Sequence, residues 1–434
     1  MRLPIAVLAL CIAHSVHSQG IIDSIIRAPD DILNGATSVF NGIFGGKTTD
    51  QCAQDVTENY RKAIIAFNHK LYINIAAHSD DHFVFSPSAI WLSLSALAEG
   101  ADPAVQSQVF TSLNLPLQQC IREKFYDKAL NVERPGRDVS LRRQRTLLLD
   151  QSLKVNPSWS KMAQSTGLLN YAFAPIKTNR KATSRRVRKF LSTRSHIHLK
   201  GNSVLLDSLD YQGLWTTAFP DADIQSQPFF NELGQKIGTV DMMHVQMKVR
   251  LAQVPFMSAK VVELPVGVDG RYTMLIAVGT GNDIIKNAIQ IFMGSIMEIF
   301  SLLQMSLFPL DVAIPRFAIT SEFDARPALE DFGIRSFWRD PAATRYVSNP
   351  PAAPGGLIQR VAIKVDNQGV SPPPQVGNDL ISGLVNIASN TATGVARVVG
   401  HEFVADRPFL FALFDTERRT CLFAGAFSRP NTLE

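Results

Sequence analysis

Nine lysines and arginines stand between Lys177 and Lys200 with no acid among them. They are Lys177, Arg180, Lys181, Arg185, Arg186, Arg188, Lys189, Arg194 and Lys200, and Arg142, Arg143 and Arg145 lie upstream. Uncompensated charge at this density attracts polyanions such as glycosaminoglycans or anionic lipid surfaces. Arg185, Arg186, Arg188 and Lys189 are the densest part and the polyanion-binding candidates; a merely solvated face is the alternative. Three cysteines follow the N-terminal apolar run: Cys52, Cys120 and Cys421. No C-x-x-C pair exists among them, so a thiolate zinc site is not expected. Cys421 sits in an apolar run and reads as a buried, inert thiol. Cys52 and Cys120 lie in polar surroundings and form the candidate disulfide, with two free thiols as the alternative.

Catalysis needs nucleophiles, bases or phosphate cradles at fixed spacing, and no such set holds here. The sequence contains no G-x-S-x-G elbow, no H-E-x-x-H and no P-loop. Gly279-Thr280-Gly281 looks superficially like a dinucleotide turn, but Ile284 occupies the third glycine position and no βαβ repeat surrounds it. His196 and His198 are two apart, the wrong spacing for one helix face. The reading is therefore not an enzyme, with no metal and no cofactor expected. Hydrophobic residues are 46% and charged residues 19% of 434, with a formal charge of +5. That balance builds a core, excludes a chain disordered throughout and falls far short of a dedicated nucleic-acid binder.

The elements that would position these residues follow from periodicity. Met1–Ser18 has a positive start, an apolar run over Leu3–Ala13 and small residues at Val16 and Ser18, the pattern of a secretory signal. An extracellular protein is expected, as a monomer without a transmembrane segment. Residues 19–54 read as an extension of short apolar turns, and residues 55–434 as one domain. Asp55 and Glu58 suggest a capping box. Val56, Tyr60, Ile64, Phe67, Leu71 and Ile75 then mark one helix face. A second helix begins after Ser86-Pro87. Helices are expected as far as about residue 200. Strands follow over Ser203–Asp210, Lys236–Met243, Lys260–Pro265, Tyr272–Val278, Asp311–Ile319, Ile358–Val365 and Phe409–Phe414. Helical pieces return at Asp283–Leu303 and Ala328–Phe332. This segregation indicates an α+β fold. Asn349–Gly356 reads as loop, and no single regular element fits residues 369–400.

Motifs in order along the chain resemble those of the serpin family. Phe83–Pro116, FVFSPSAIWLSLSALAEGADPAVQSQVFTSLNLP, resembles its N-I-x-F-S-P-x-S-I signature and the small-residue helix after it. Gly213-Leu214-Trp215 with Phe219 resembles K-G-x-W-x-x-x-F, and Val240-Asp241-Met242-Met243 resembles V-x-M-M. Val262-Glu263-Leu264-Pro265 and Ile314-Pro315-Arg316-Phe317 resemble V-L-E-L-P and L-P-K-F. Phe403–Phe411 resembles F-x-A-D-H-P-F-L-F, and Leu422-Phe423 with Gly425 and Pro430 closes the chain in the family's manner. The resemblance implies three β-sheets, eight or nine helices and an exposed reactive-centre loop near the C-terminus. In inhibitory members that loop is bait for a serine protease and, once cut, inserts into the large sheet as a new strand.

The resemblance also locates departures. Gly369, Val370, Ser371, Pro372, Pro373 and Pro374 occupy the hinge, where inhibitors keep small residues. The family's shutter joins a Ser, an Asn and a His; the matching positions hold Ala89, Asp207 and Gln359, beside Ser86. Gln359 can still reach Asp207, so the network is rebuilt. Counting back from Phe403 puts the bait bond at Arg397-Val398, whereas counting forward from Gly369 lands near Gly383. Arg397 is the only basic residue between Gly369 and Gly400, which suits a trypsin-like protease. Prolines in the hinge imply a serpin scaffold with little or no inhibition, acting as an extracellular binding or regulatory protein. The alternative is a suicide inhibitor of a trypsin-like serine endopeptidase.

Overall fold

The computed structural model describes residues 52–80, 82–133, 137–194, 199–280, 284–340, 342–373 and 402–430. The leader Met1–Ser18, most of the extension, His196, His198, Gly281, Pro374, Arg397 and Val398 lie outside the described residues. The chain divides into two compact units, Met1–Asp55 and Val56–Glu434.

In the second unit the first helix runs over Thr57–Ala77, and the whole predicted stripe from Val56 to Ile75 is buried. Val56 is the N-cap residue and offers no side-chain cap, and Glu58 accepts from Arg61. The helix Pro87–Ala98 is buried at every position, because its serines and alanines let neighbours approach on all sides. Its Trp91 donates to the Leu113 carbonyl.

Three sheets carry the unit. A seven-stranded sheet orders Phe83–Phe85, Thr420–Phe427, Phe409–Asp415, Tyr272–Gly279, Ala259–Val266, Arg250–Val254 and Gln304–Met305. The strands Thr420–Phe427 and Phe409–Asp415 are buried throughout, as their apolar runs require. A four-stranded sheet orders Glu402–Val404, Leu310–Pro315, Lys236–Met247 and Ile224–Phe230. A six-stranded sheet orders Phe317–Asp324, Pro354–Val365, Gly369–Ser371, Ser203–Leu214, Val139–Asp150 and Asn170–Ala174. A two-stranded ribbon joins Lys154–Val155 to Ser348–Asn349. The architecture is the expected α+β arrangement of three sheets and surrounding helices, with ten α-helical segments among the described residues rather than eight or nine.

Several boundaries differ from the sequence reading. Val139–Asp150 is a twelve-residue strand within the stretch expected to be helical. Asp311–Ile319 divides into two strands that belong to different sheets. Asn349–Gly356 is not all loop, since the strand Pro354–Val365 begins inside it. The expected helix Asp283–Leu303 is two helices, Ile284–Ile291 and Ile296–Leu302. Among the described residues no helix is long and apolar enough to cross a membrane.

Candidate functional site

The six-stranded sheet contains a seam between Ser203–Leu214 and Pro354–Val365. Over its lower part the two strands pair directly in parallel, from Leu357 opposite Leu205 to Ala362 opposite Asp210. Higher up they diverge, and Gly369–Ser371 lies between them. Val370 and Ser371 pair antiparallel with Val365 and Lys364, while Gly369 and Val370 pair with Leu214 and Gly213. The sequence hinge is thus already a short strand inside the sheet, with Val370 buried. Only glycine fits at 369, because a Cβ there would collide with the Gly213 carbonyl.

The turn before this strand is held firmly. The Asp366 carboxylate accepts from the Gln368 and Gly369 amides at 3.0 and 3.2 Å. The Trp215 indole donates to the Asp366 carbonyl at 2.8 Å, and the Trp215 and Phe219 amides donate to the carbonyls of Gln368 and Asn367. Arg316 donates to the Asn367 side chain at 2.7 Å. Trp215, Phe219 and Arg316 belong to two of the sequence motifs, and their shared task is to anchor the hinge. Sequence reasoning identified the motifs but not that task, since Asp366 is remote from them in the chain.

Pairing of the hinge strand stops at Ser371. Pro372 follows at once, then Pro373, both half-buried. A proline has no N–H to donate, and its ring crowds the ladder. The proline run therefore coincides with the end of the inserted segment.

Lower in the seam the shutter positions meet. Gln359 and Asp207 are register partners, and the Gln359 amide donates to the Asp207 carboxylate at 2.8 Å. The same side chain accepts from the Ser86 amide at 2.8 Å and donates to the Ser86 carbonyl at 3.1 Å. The Ser86 hydroxyl donates to the Leu422 carbonyl, and Arg143 donates to that hydroxyl at 2.8 Å. Ser86, Asp207 and Gln359 are thus joined across the seam. Ala89 is buried but has no side-chain polar group to join with.

Arg143 and Arg145 correct the sequence reading. They are not part of an exposed basic cluster; both point into the molecule and converge on Glu133, Arg143 at 2.8 Å. Burial alone would raise the Glu133 pKa, but the two guanidiniums outweigh it and hold the carboxyl below its usual range. At Asp207 burial wins, and its pKa is raised even though Arg143 and Arg145 oppose that rise. One of its oxygens, Oδ1, is buried without a hydrogen-bond partner. Arg143 was hidden from sequence reasoning because its partner lies on a different element.

The remaining basic run forms the helix Arg180–Leu191, capped by the Asn179 side chain on the Ala182 amide. Arg185, Arg186 and Lys189 are exposed and Arg188 is half-buried. Elsewhere Cys52 and Cys120 are each disulfide-bonded, and Cys421 is a free, buried thiol whose pKa burial drives up.

The family model for Serpin (serine protease inhibitor) matches residues 62–430. Iripin-5 of Ixodes ricinus is 22% identical over 231 residues, 51% of this chain and 53% of that protein. The chain thus spans about half the length of this and several other curated relatives. "Putative non-inhibitory serpin-10" of Oryza sativa subsp. japonica is 23% identical over 83% of this chain and 96% of its own. The solved structure of native protease nexin-1 with heparin superposes with a TM-score of 0.70 at 16% identity, covering 86% of this chain and 100% of that one. At that identity the likeness speaks for the fold alone. The span of the family match, with the hinge strand and shutter residues meeting along one seam, leads to a single assignment: this chain belongs to the serpin family.

Proposed function

We propose that this serpin acts outside the cell as a binding or regulatory protein with little or no protease inhibition. The observation that carries this reading is that hinge pairing ends where the prolines begin. Further insertion would leave facing carbonyls without donors, at ~1–3 kcal/mol for each proline. The hinge must enter first, so the prolines also slow insertion, and trapping a protease is a race between insertion and hydrolysis of the acyl-enzyme. The leader-like Met1–Ser18 and the disulfide-bonded cysteines support an extracellular setting. The exposed arginines of Arg180–Leu191 support a polyanionic partner such as a glycosaminoglycan. The sequence carries no G-x-S-x-G, H-E-x-x-H or P-loop spacing, which supports a scaffold rather than an enzyme.

A second reading keeps Arg397 as bait for a trypsin-like protease. It is favoured by the hinge itself, since Gly369–Ser371 already occupies the sheet and Val370 is buried as an inserted residue would be. Incubation with trypsin followed by a denaturing gel separates the two. The expected product is a nicked protein whose melting temperature barely changes. A denaturant-resistant band at the summed mass of both proteins overturns the first reading in favour of the second.

A further inference from the structure

Between the four-stranded and the seven-stranded sheets lies a half-open cleft of about 870 Å³. One wall is a transverse row of the seven-stranded sheet. Gln253 is the register partner of Lys260, and Lys260 of Val278. Register partners on neighbouring strands project from the same face. The chain neighbours Val254, Val261 and Ala277 point the other way, into the large apolar core. The other wall belongs to the four-stranded sheet. Asp311 is the register partner of Glu402, and two residues further on Ala313 lies between Val404 and His244.

Much of the polar lining is already bonded to itself. The His244 imidazole meets Asp311 at 3.2 Å through Nδ1 and the Gln227 amide at 2.9 Å through Nε2. Arg407 donates to Asp406 at 2.9 Å. Three side chains are left over. Gln253, Lys260 and Glu402 are exposed, and none has a hydrogen-bond or ion-pair partner among the described residues. Lys260 and Glu402 thus stand on different sheets over one cleft without meeting each other. A gap between opposite charges suits a molecule that carries both signs.

We propose that this cleft binds a short peptide with free ends, its ammonium on Glu402 and its carboxylate on Lys260. A purely anionic ligand would face Glu402, Asp311 and Asp406, and a purely cationic one would leave Lys260 unpaired. Gln253, beside Lys260, can both donate to and accept from a peptide group. Val278 and Val404 supply apolar surface to a small side chain. The volume lies towards the upper end of small-ligand sites, which run from about 300 to 1,000 Å³, so a lone amino acid underfills it. Because His244, Asp311 and Gln227 hold one another, the lining is set before the ligand arrives, which lowers the cost of binding. The proposal deepens the binding-protein reading above by naming a ligand class, and it rests on that reading for its use. The trypsin gel decides that reading and peptide binding decides this one, so each can fail alone.

The test is equilibrium dialysis of the intact protein against alanyl-leucyl-alanine, its N-acetyl form, its C-terminal amide and free leucine. A charge-assisted hydrogen bond is worth about tenfold or more in affinity, so each cap is expected to weaken binding by at least that factor. Glu402→Gln is expected to erase the difference between the free and the N-acetyl peptide while keeping the penalty of the amide. Lys260→Met is expected to do the reverse. Both side chains are exposed, so both variants are expected to melt with the parent. Caps without effect on the parent overturn the proposal, as does leucine binding as tightly as the tripeptide. Variants in which both cap penalties persist also overturn it. So does an absence of binding across alanine–leucine peptides of about two to five residues, lengths chosen to bracket the cleft.

Discussion

At the scale of single residues, the seam is governed by one carboxylate in a place that resists charge. Burial raises the Asp207 pKa, with Arg143 and Arg145 only partly offsetting it. A raised pKa means that the folded state holds this proton more tightly than the unfolded chain does. The associated stability is fully present below the unfolded value of about 3.9 and is lost as pH rises through the folded value. Each unit of difference is worth about 1.4 kcal/mol. Asp207→Asn is expected to abolish that loss, flattening the melting temperature between acid and neutral pH while the parent declines. Parallel curves for the two proteins would contradict it. Glu133 has the opposite sign, since its carboxyl is held low by Arg143 and Arg145 despite burial. Its contribution is present above about pH 4.3 and disappears as pH falls through its depressed value, so its window lies on the acid side of that of Asp207. Neither residue could be assigned this chemistry from the chain alone. Resemblance to a family pointed to Asp207 and Gln359, whereas the arginines that set their electrostatics read as surface charge.

At the scale of elements, the hinge strand makes a sharper prediction. The anchor at Trp215, Phe219 and Arg316 and the pairing of Gly369–Ser371 are in place, and the proposed reading assigns the opposition to further insertion to the loss of donors after Ser371. The triple variant Pro372→Ala, Pro373→Ala, Pro374→Ala restores three N–H groups. Nicked by trypsin, it is expected to melt several degrees higher than the nicked parent, given ~1–3 kcal/mol per recovered bond. Equal melting temperatures after the nick would show that something other than the prolines stops the strand. The elements were legible where one chain segment carries its own period. The stripe from Val56 to Ile75 announced its helix, and the apolar run at Phe409–Phe414 announced its strand. Val139–Asp150 did not, because residues 140–145 read Ser-Leu-Arg-Arg-Gln-Arg, and only the pairing of Arg143 and Arg145 with Glu133 turns charge inward there. The break between Leu310–Pro315 and Phe317–Asp324 was also hidden, since only the sheets on either side tell the two strands apart.

At the scale of the whole molecule, order along the chain is a poor guide to neighbourhood. Phe83–Phe85 pairs with Thr420–Phe427, and the shutter unites Ser86, Asp207 and Gln359. Such long-range closure makes a covalent link near the start of the chain valuable. A Cys52–Cys120 bridge closing so long a loop is worth ~4 kcal/mol in the entropic account. Native alkylation and mass mapping are expected to return these two cysteines in one cross-linked peptide and Cys421 as a thiol. Recovery of alkylated Cys52 and Cys120 would refute the bridge. The proline stop has a consequence of another kind. On the proposed reading it is made of side-chain chemistry alone, at the end of a short strand that already sits between its two neighbours. Every proline codon lies a single base from an alanine, a serine and a threonine codon, the small residues that inhibitory hinges use. On the proposed reading, point mutation removes the stop one codon at a time, without insertion or deletion, so the step between the two readings of this hinge is a small heritable one.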